Sequence, residues 1–122
     1  MKKALVVDDN DVNRILASRL LGKAGWTVSD VSCGEDALAF LAANPVALVL
    51  LDVSMPTMSG QEVCARIRAE TLGGAGLKVV AYTAHAMPEE IQEFLGGGFD
   101  TVLLKPVSRD RLTATLVELG LG

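Results

Sequence analysis

LVLLDVSMPTMSG, running from Leu48 to Gly60, decides how the chain is read. Four apolar residues in succession suit a strand buried on both faces, the mark of a parallel sheet covered by helices. That run ends on Asp52, a group whose unpaired burial costs several kcal/mol. A carboxylate there, followed by Met55-Pro56 and a glycine, needs a physical reason.

Working outward, strand and helix patterns alternate. Ala4 to Val7 is a short apolar run, and Val12 to Ala24 carries Leu16, Ala17, Leu20, Leu21 and Ala24 at helical spacing, closed by Gly25. Trp26 to Val31 is extended with mixed polarity, as an edge strand would be. Ser32 and Glu35 predict a capping box ahead of a helix over Ala37 to Ala43. Pro45 then punctuates before the strand Val46 to Leu51. Ser59 and Glu62 repeat the capping spacing before a helix from Gln61 to about Thr71. Lys78 to Tyr82 is a fourth strand, and Pro88 opens a helix that ends at Gly96-Gly97-Gly98. Thr101 to Leu104 is the fifth strand, and Ser108 caps a last helix through about Leu119. Five strands alternating with five helices predict an α/β doubly wound parallel sheet with helices on both faces.

Composition narrows the function. The 122 residues suit one domain over 1–122, and half are hydrophobic while only 4% are aromatic, so the core must be aliphatic. A formal charge of −4 without any basic run argues against direct nucleic-acid binding, which depends on Lys and Arg neutralising phosphates. No apolar run approaches the ~20 residues of a membrane span, and Met1-Lys2-Lys3 leads into a strand rather than a signal peptide. Cys33 and Cys64 lack metal-ligand spacing and read as small reduced residues. The expectation is a soluble cytoplasmic protein with no membrane partner. Glycine-rich loops raise a nucleotide-binding reading, but neither GxGxxG after the first strand nor a P-loop is present.

The polar residues fall at the strand ends. The first strand ends on Asp8-Asp9, the third on Asp52, the fourth on Thr83-Ala84 and the fifth on Lys105-Pro106. In an open parallel sheet the carboxyl ends of the strands form the ligand site, so these side chains converge. Three carboxylates repel unless positive charge sits among them. Lys105 supplies one charge, and Mg²⁺, a hard cation preferring oxygen ligands, supplies the rest. Asp9 and Asp52 suit direct ligation, with Asp8 orienting a bound water and the Ser54 backbone carbonyl filling another position. Without a His/Cys cluster zinc is disfavoured, and the lone His85 reads as a solvated loop residue. A cation, an ammonium and a hydroxyl suit a phosphoryl group, with Asp52 on the central strand as nucleophile and Thr83 and Lys105 gripping the phosphoryl oxygens.

LVVDDNDVNR, Asp52 followed by MPTMSGQE, AYTAHAM and GFDTVLLKPV, in this order and spacing, resemble the receiver domain of bacterial two-component response regulators over essentially the whole chain. The wording DDNDVNR and TAHAM is closest to single-domain regulators and to receivers of hybrid sensor kinases. The resemblance implies the flavodoxin-like strand order 2-1-3-4-5 and a cis Lys105-Pro106 bond. It also implies Asp52 as phosphoacceptor, Asp8 and Asp9 as the acidic Mg²⁺ pair, Thr83 as switch hydroxyl and Lys105 as phosphate contact. The implied partner is a histidine kinase or histidine phosphotransfer protein, docking near Asp11, Val12, Ile15 and Pro106-Val107, with onward signalling from the fourth and fifth helices and the strand between them. One departure stands out: Val102 occupies the place where the family usually carries Tyr or Phe.

Two other readings compete. A Mg²⁺-dependent phosphohydrolase with an aspartate nucleophile would carry a second Asp two residues on, where this chain has Ser54. A receiver-like binding module acting without phosphate would have lost the acidic pair, Asp52 or Lys105, and all are present. The expectation is therefore a non-enzymatic phosphoacceptor switch. A stand-alone regulator and a receiver cut from a hybrid kinase both stay open, with Met1 and natural-looking ends favouring the first as an expectation.

Overall fold

A computed structural model describes residues 1–122. Strands β1 (Lys3–Val7), β2 (Thr27–Val31), β3 (Leu48–Asp52), β4 (Lys78–Thr83) and β5 (Thr101–Leu104) alternate with helices α1 (Asp11–Lys23), α2 (Gly34–Ala43), α3 (Gly60–Glu70), α4 (Pro88–Gly96) and α5 (Arg109–Glu118). All strand pairs are parallel and the sheet order is β2-β1-β3-β4-β5, as expected. β2 is an edge strand, which accounts for its mixed polarity, whereas all five residues of β3 are buried.

Successive side chains of a strand point to opposite faces, and here the two sets build two cores. Leu5, Val7, Val49, Leu51, Val79 and Ala81 pack with Ala37, Leu41, Val63, Ile67 and Phe94 of α2, α3 and α4. Ala4, Val6, Leu48, Leu50, Val80 and Tyr82 pack with Ala17, Leu21, Leu112 and Leu116 of α1 and α5. Trp26, read as part of the second strand, precedes it and is buried in this second core.

Helix starts follow the predicted caps with one exception. Ser59 and Glu62 form a reciprocal capping box, and Ser108 accepts from the Arg111 N–H. The Ser32–Glu35 box does not form: the N-cap is Cys33, without a side-chain bond, and α2 begins at Gly34. The predicted frame is one residue early because the chain must approach α3 closely here. A Cβ on Gly34 would stand 2.7 Å from Val63 Cγ2. The Lys105-Pro106 bond is cis, as the resemblance implies.

Candidate functional site

The loop after β3 answers the question its sequence raises. Met55 turns back into the α2–α4 core, and the chain returns so that the Gly60 N–H donates to the Val53 carbonyl at 3.3 Å. A Cβ at Gly60 would lie 2.3 Å from the Asp52 carbonyl oxygen and 2.7 Å from Val53 Cα. Only glycine lets the start of α3 lie against the backbone that carries Asp52. Thr57, between them, takes a left-handed φ of 72°, a strained choice for a β-branched residue of the kind that clusters at functional loops. Sequence reasoning had no role for Gly60; its place eight residues after a strand-end carboxylate was the available signal.

Strand parity aims the charged groups. Asp52 continues the face of Leu48 and Leu50, and Asp8 that of Ala4 and Val6, so both lie on the α1–α5 side. Both are buried, at 0% exposure for Asp8 and 3% for Asp52, while Asp9 is exposed at the rim. One oxygen from each of Asp8, Asp9 and Asp52 lies within 4.8 Å of the others. Lys105, delivered by the end of β5, brings its Nζ to 2.8 Å from Asp8 Oδ2 and 3.3 Å from Asp52 Oδ1. Its ammonium also stands 4.8 Å from the centroid of the Tyr82 ring.

Two carboxylates share one ammonium, so compensation is incomplete. Asp8 Oδ1 accepts from the Asn10 N–H, but the buried Oδ2 has no aligned hydrogen-bond donor: its contact with Lys105 is an ion pair without hydrogen-bond geometry. Burial pushes the Asp52 carboxyl up to about 6; the Ser54 N–H at 3.0 Å and the Lys105 charge oppose the rise, while Asp8 and Asp9 add to it. Three acidic side chains around one ammonium, with an Asp8 oxygen that lacks an aligned donor, fit a small, hard divalent cation.

The remaining predicted residues stand near this cluster with other partners. Thr83 ends β4 and is 6% exposed, and its hydroxyl donates to the His85 carbonyl at 3.1 Å. The Lys105 N–H donates to the Thr83 carbonyl at 2.7 Å, tying the two strand ends together. The His85 side chain is exposed in the loop after β4, as expected of a solvated residue. Ser54 is exposed and reaches Asp52 through its N–H. Val12 and Ile15 are exposed at 73% and 46%, but Val107, expected to help dock a partner, is buried in the α1–α5 core. Both cysteines are free, Cys64 buried and Cys33 half-buried, and no helix is long and apolar enough to cross a membrane.

Comparison with known proteins agrees with this geometry. The family model described as the response regulator receiver domain matches residues 4–117. The sensor histidine kinase RcsC of Salmonella typhi is 44% identical over 112 residues, which are 92% of this chain but only 12% of the kinase. The two-component response regulator ORR41 of rice is 34% identical over 126 residues, covering 100% of this chain and 97% of its own length. The solved structure of the chemotaxis protein CheY4 from Vibrio cholerae superposes with a TM-score of 0.90 at 30% identity, over 98% of both chains. The strand order, the acidic rim and the matched segments therefore have one common source, and the chain belongs to the receiver domain family of two-component signalling.

Proposed function

We propose that the chain, as one receiver unit over 1–122, is a phosphorylation switch of the cytoplasm rather than an enzyme acting on an outside substrate. Asp52 accepts a phosphoryl group from a phosphohistidine of a histidine kinase or phosphotransfer protein. The observation that carries this reading is the sharing of Lys105 Nζ between buried Asp8 and Asp52, which leaves the pocket short of positive charge.

In the transfer, an Asp52 oxygen attacks phosphorus and a P–O bond forms. The P–N bond to the donor imidazole breaks, its electron pair leaves with the ring, and the ring nitrogen takes up a proton. Attack needs the carboxylate, the form that Lys105 and a bound cation both favour. Mg²⁺, held by Asp8, Asp9, Asp52 and the Ser54 carbonyl, supplies when bound the charge that neutralises carboxylates and phosphoryl oxygens. Lys105 then contacts one phosphoryl oxygen. Thr83 donates to another and gives up its bond to the His85 carbonyl. That exchange biases the loop between β4 and α4 between two positions. With Val102 at the usual aromatic place, output runs through this loop rather than through a rotating ring. The exposed Val12 and Ile15 at the start of α1 offer the donor an apolar landing point, and Leu95 and Leu104, at 42% and 36% exposure, lie on the α4–β5 surface that signals onward.

Incubation with acetyl phosphate and Mg²⁺, read by intact mass, tests the proposal. One phosphoryl group per chain is expected, stable in acid, labile to base and hydroxylamine, and absent from Asp52→Asn. Steady release of phosphate from small phosphoesters would favour a hydrolase instead.

A further inference from the structure

We infer that Tyr82 is a positioning residue for the Lys105 ammonium, a role that rests on the phosphoryl-transfer reading of the site. Tyr82 pairs in register with Asp52 and, by strand parity, faces the same side of the sheet. Its ring is fully buried, and its face lies beneath Lys105 Nζ at 4.8 Å from the centroid. The lysine side chain is only 12% exposed. An ammonium on a four-carbon stem is a mobile point charge. Asp8 and Asp52 attract it at 2.8 and 3.3 Å, and do not by themselves decide where between them it rests. The electron-rich face of the ring adds a further attraction that is not lost when Asp52 carries a phosphoryl group.

The polar end of Tyr82 does not explain its presence. The hydroxyl is buried beside the Val107 backbone without an aligned hydrogen bond. Packing alone would be served by an aliphatic residue of the kind found at Leu50 and Val80 on the same face. What tyrosine adds is the ring face, and it stands on the strand that carries Thr83. The aromatic of this site therefore comes from β4, and β5 carries Val102 instead.

The test compares the intact chain with Tyr82→Leu, Tyr82→Phe, Lys105→Ala and Tyr82→Leu/Lys105→Ala. One arm measures thermal unfolding without phosphodonor, and the other the rate of phosphoryl uptake from acetyl phosphate at saturating Mg²⁺. Tyr82→Leu should slow uptake by about three- to tenfold, as expected for a desolvated cation–π contact. Tyr82→Phe should recover the rate, because it keeps the ring. In the Lys105→Ala background, which retains slow uptake, Tyr82→Leu should have no further effect, and the two substitutions should be non-additive in unfolding. Equal slowing in both backgrounds, additive unfolding, or failure of phenylalanine to recover the rate would each overturn the assignment and leave Tyr82 a core filler. Absence of uptake by the unsubstituted chain would instead overturn the proposed function, and the unfolding cycle would still report whether the ring and the ammonium interact.

Discussion

The two ends of the sheet hold ionic networks of opposite character. At the amino ends of β4 and β5, Arg68 of α3 donates to the Gly98 carbonyl at 2.9 Å, the Leu77 carbonyl at 2.8 Å and Asp100 Oδ2 at 2.7 Å. Asp100 Oδ2 also accepts from the Val79 N–H at 2.8 Å. One cation serves one carboxylate, and the planar guanidinium finds acceptors in several directions at once. At the carboxyl ends, one ammonium serves Asp8 and Asp52, an oxygen of Asp8 lacks an aligned donor, and the Asp52 carboxyl is pushed up to about 6. The first network is matched and closes the fold; the second is left short of positive charge, the condition in which an added cation has most to gain. Charge at a sheet edge is thus no guide to function by itself; unmatched charge is.

The sharpest break of this contrast comes from Gly60→Ala, which places a methyl group against the Asp52 backbone. Denaturant unfolding should show a loss of about 3 kcal/mol, together with a weakened Mg²⁺ response. Arg68→Ala should cost about 1 to 2 kcal/mol in the same measurement, because it removes the donor to two carbonyls and the ion-pair partner of a part-exposed Asp100 that keeps its Val79 N–H, yet leave the Mg²⁺ response intact. Asp52→Asn should do the reverse and stabilise the metal-free chain at pH 7. The folded-state value of about 6 lies above the ordinary 3.8, so the folded form binds the proton more readily than the unfolded one. Stability from this group is therefore fully present below 3.8 and lost as pH rises through 6. That interval, at about 1.4 kcal/mol per pH unit, caps the gain from Asn at about 3 kcal/mol. The advantage should vanish near pH 4, which unfolding of both proteins across that range would check. The smallest effect is that of Mg²⁺: at ten times its Kd it should raise stability by about 1.4 kcal/mol, seen as a higher Tm. Asp8→Asn and Asp52→Asn should abolish that rise.

These two networks were not equally legible in the sequence. Asp8, Asp9, Asp52, Thr83 and Lys105 could be found because each ends an apolar run, and a parallel sheet collects such ends at one rim. Arg68 could not: it reaches Gly98 and Asp100 across 30 and 32 residues, and nothing local marks an arginine in an amphipathic helix as different from Arg66. Tyr82 does not stand at the family's usual aromatic position, and only the register of β4 on β3, which pairs it with Asp52, sets it beside the site. The cap at Ser32 failed because the close packing of Gly34 on Val63, a tertiary contact, chose the start of α2. Val107 follows a proline in an apparently open loop, and only the fold turns it inward to the α1–α5 core.

Mapping the base-labile phosphoryl group acquired from a phosphohistidine donor interrogates the contrast between the two rims most directly. The expected result is a single modified peptide, the one containing Asp52, with Mg²⁺ required and with Arg68→Ala still competent. Label on another residue, or undiminished label in Asp52→Asn, would show that the charge-starved rim is not where the chemistry happens.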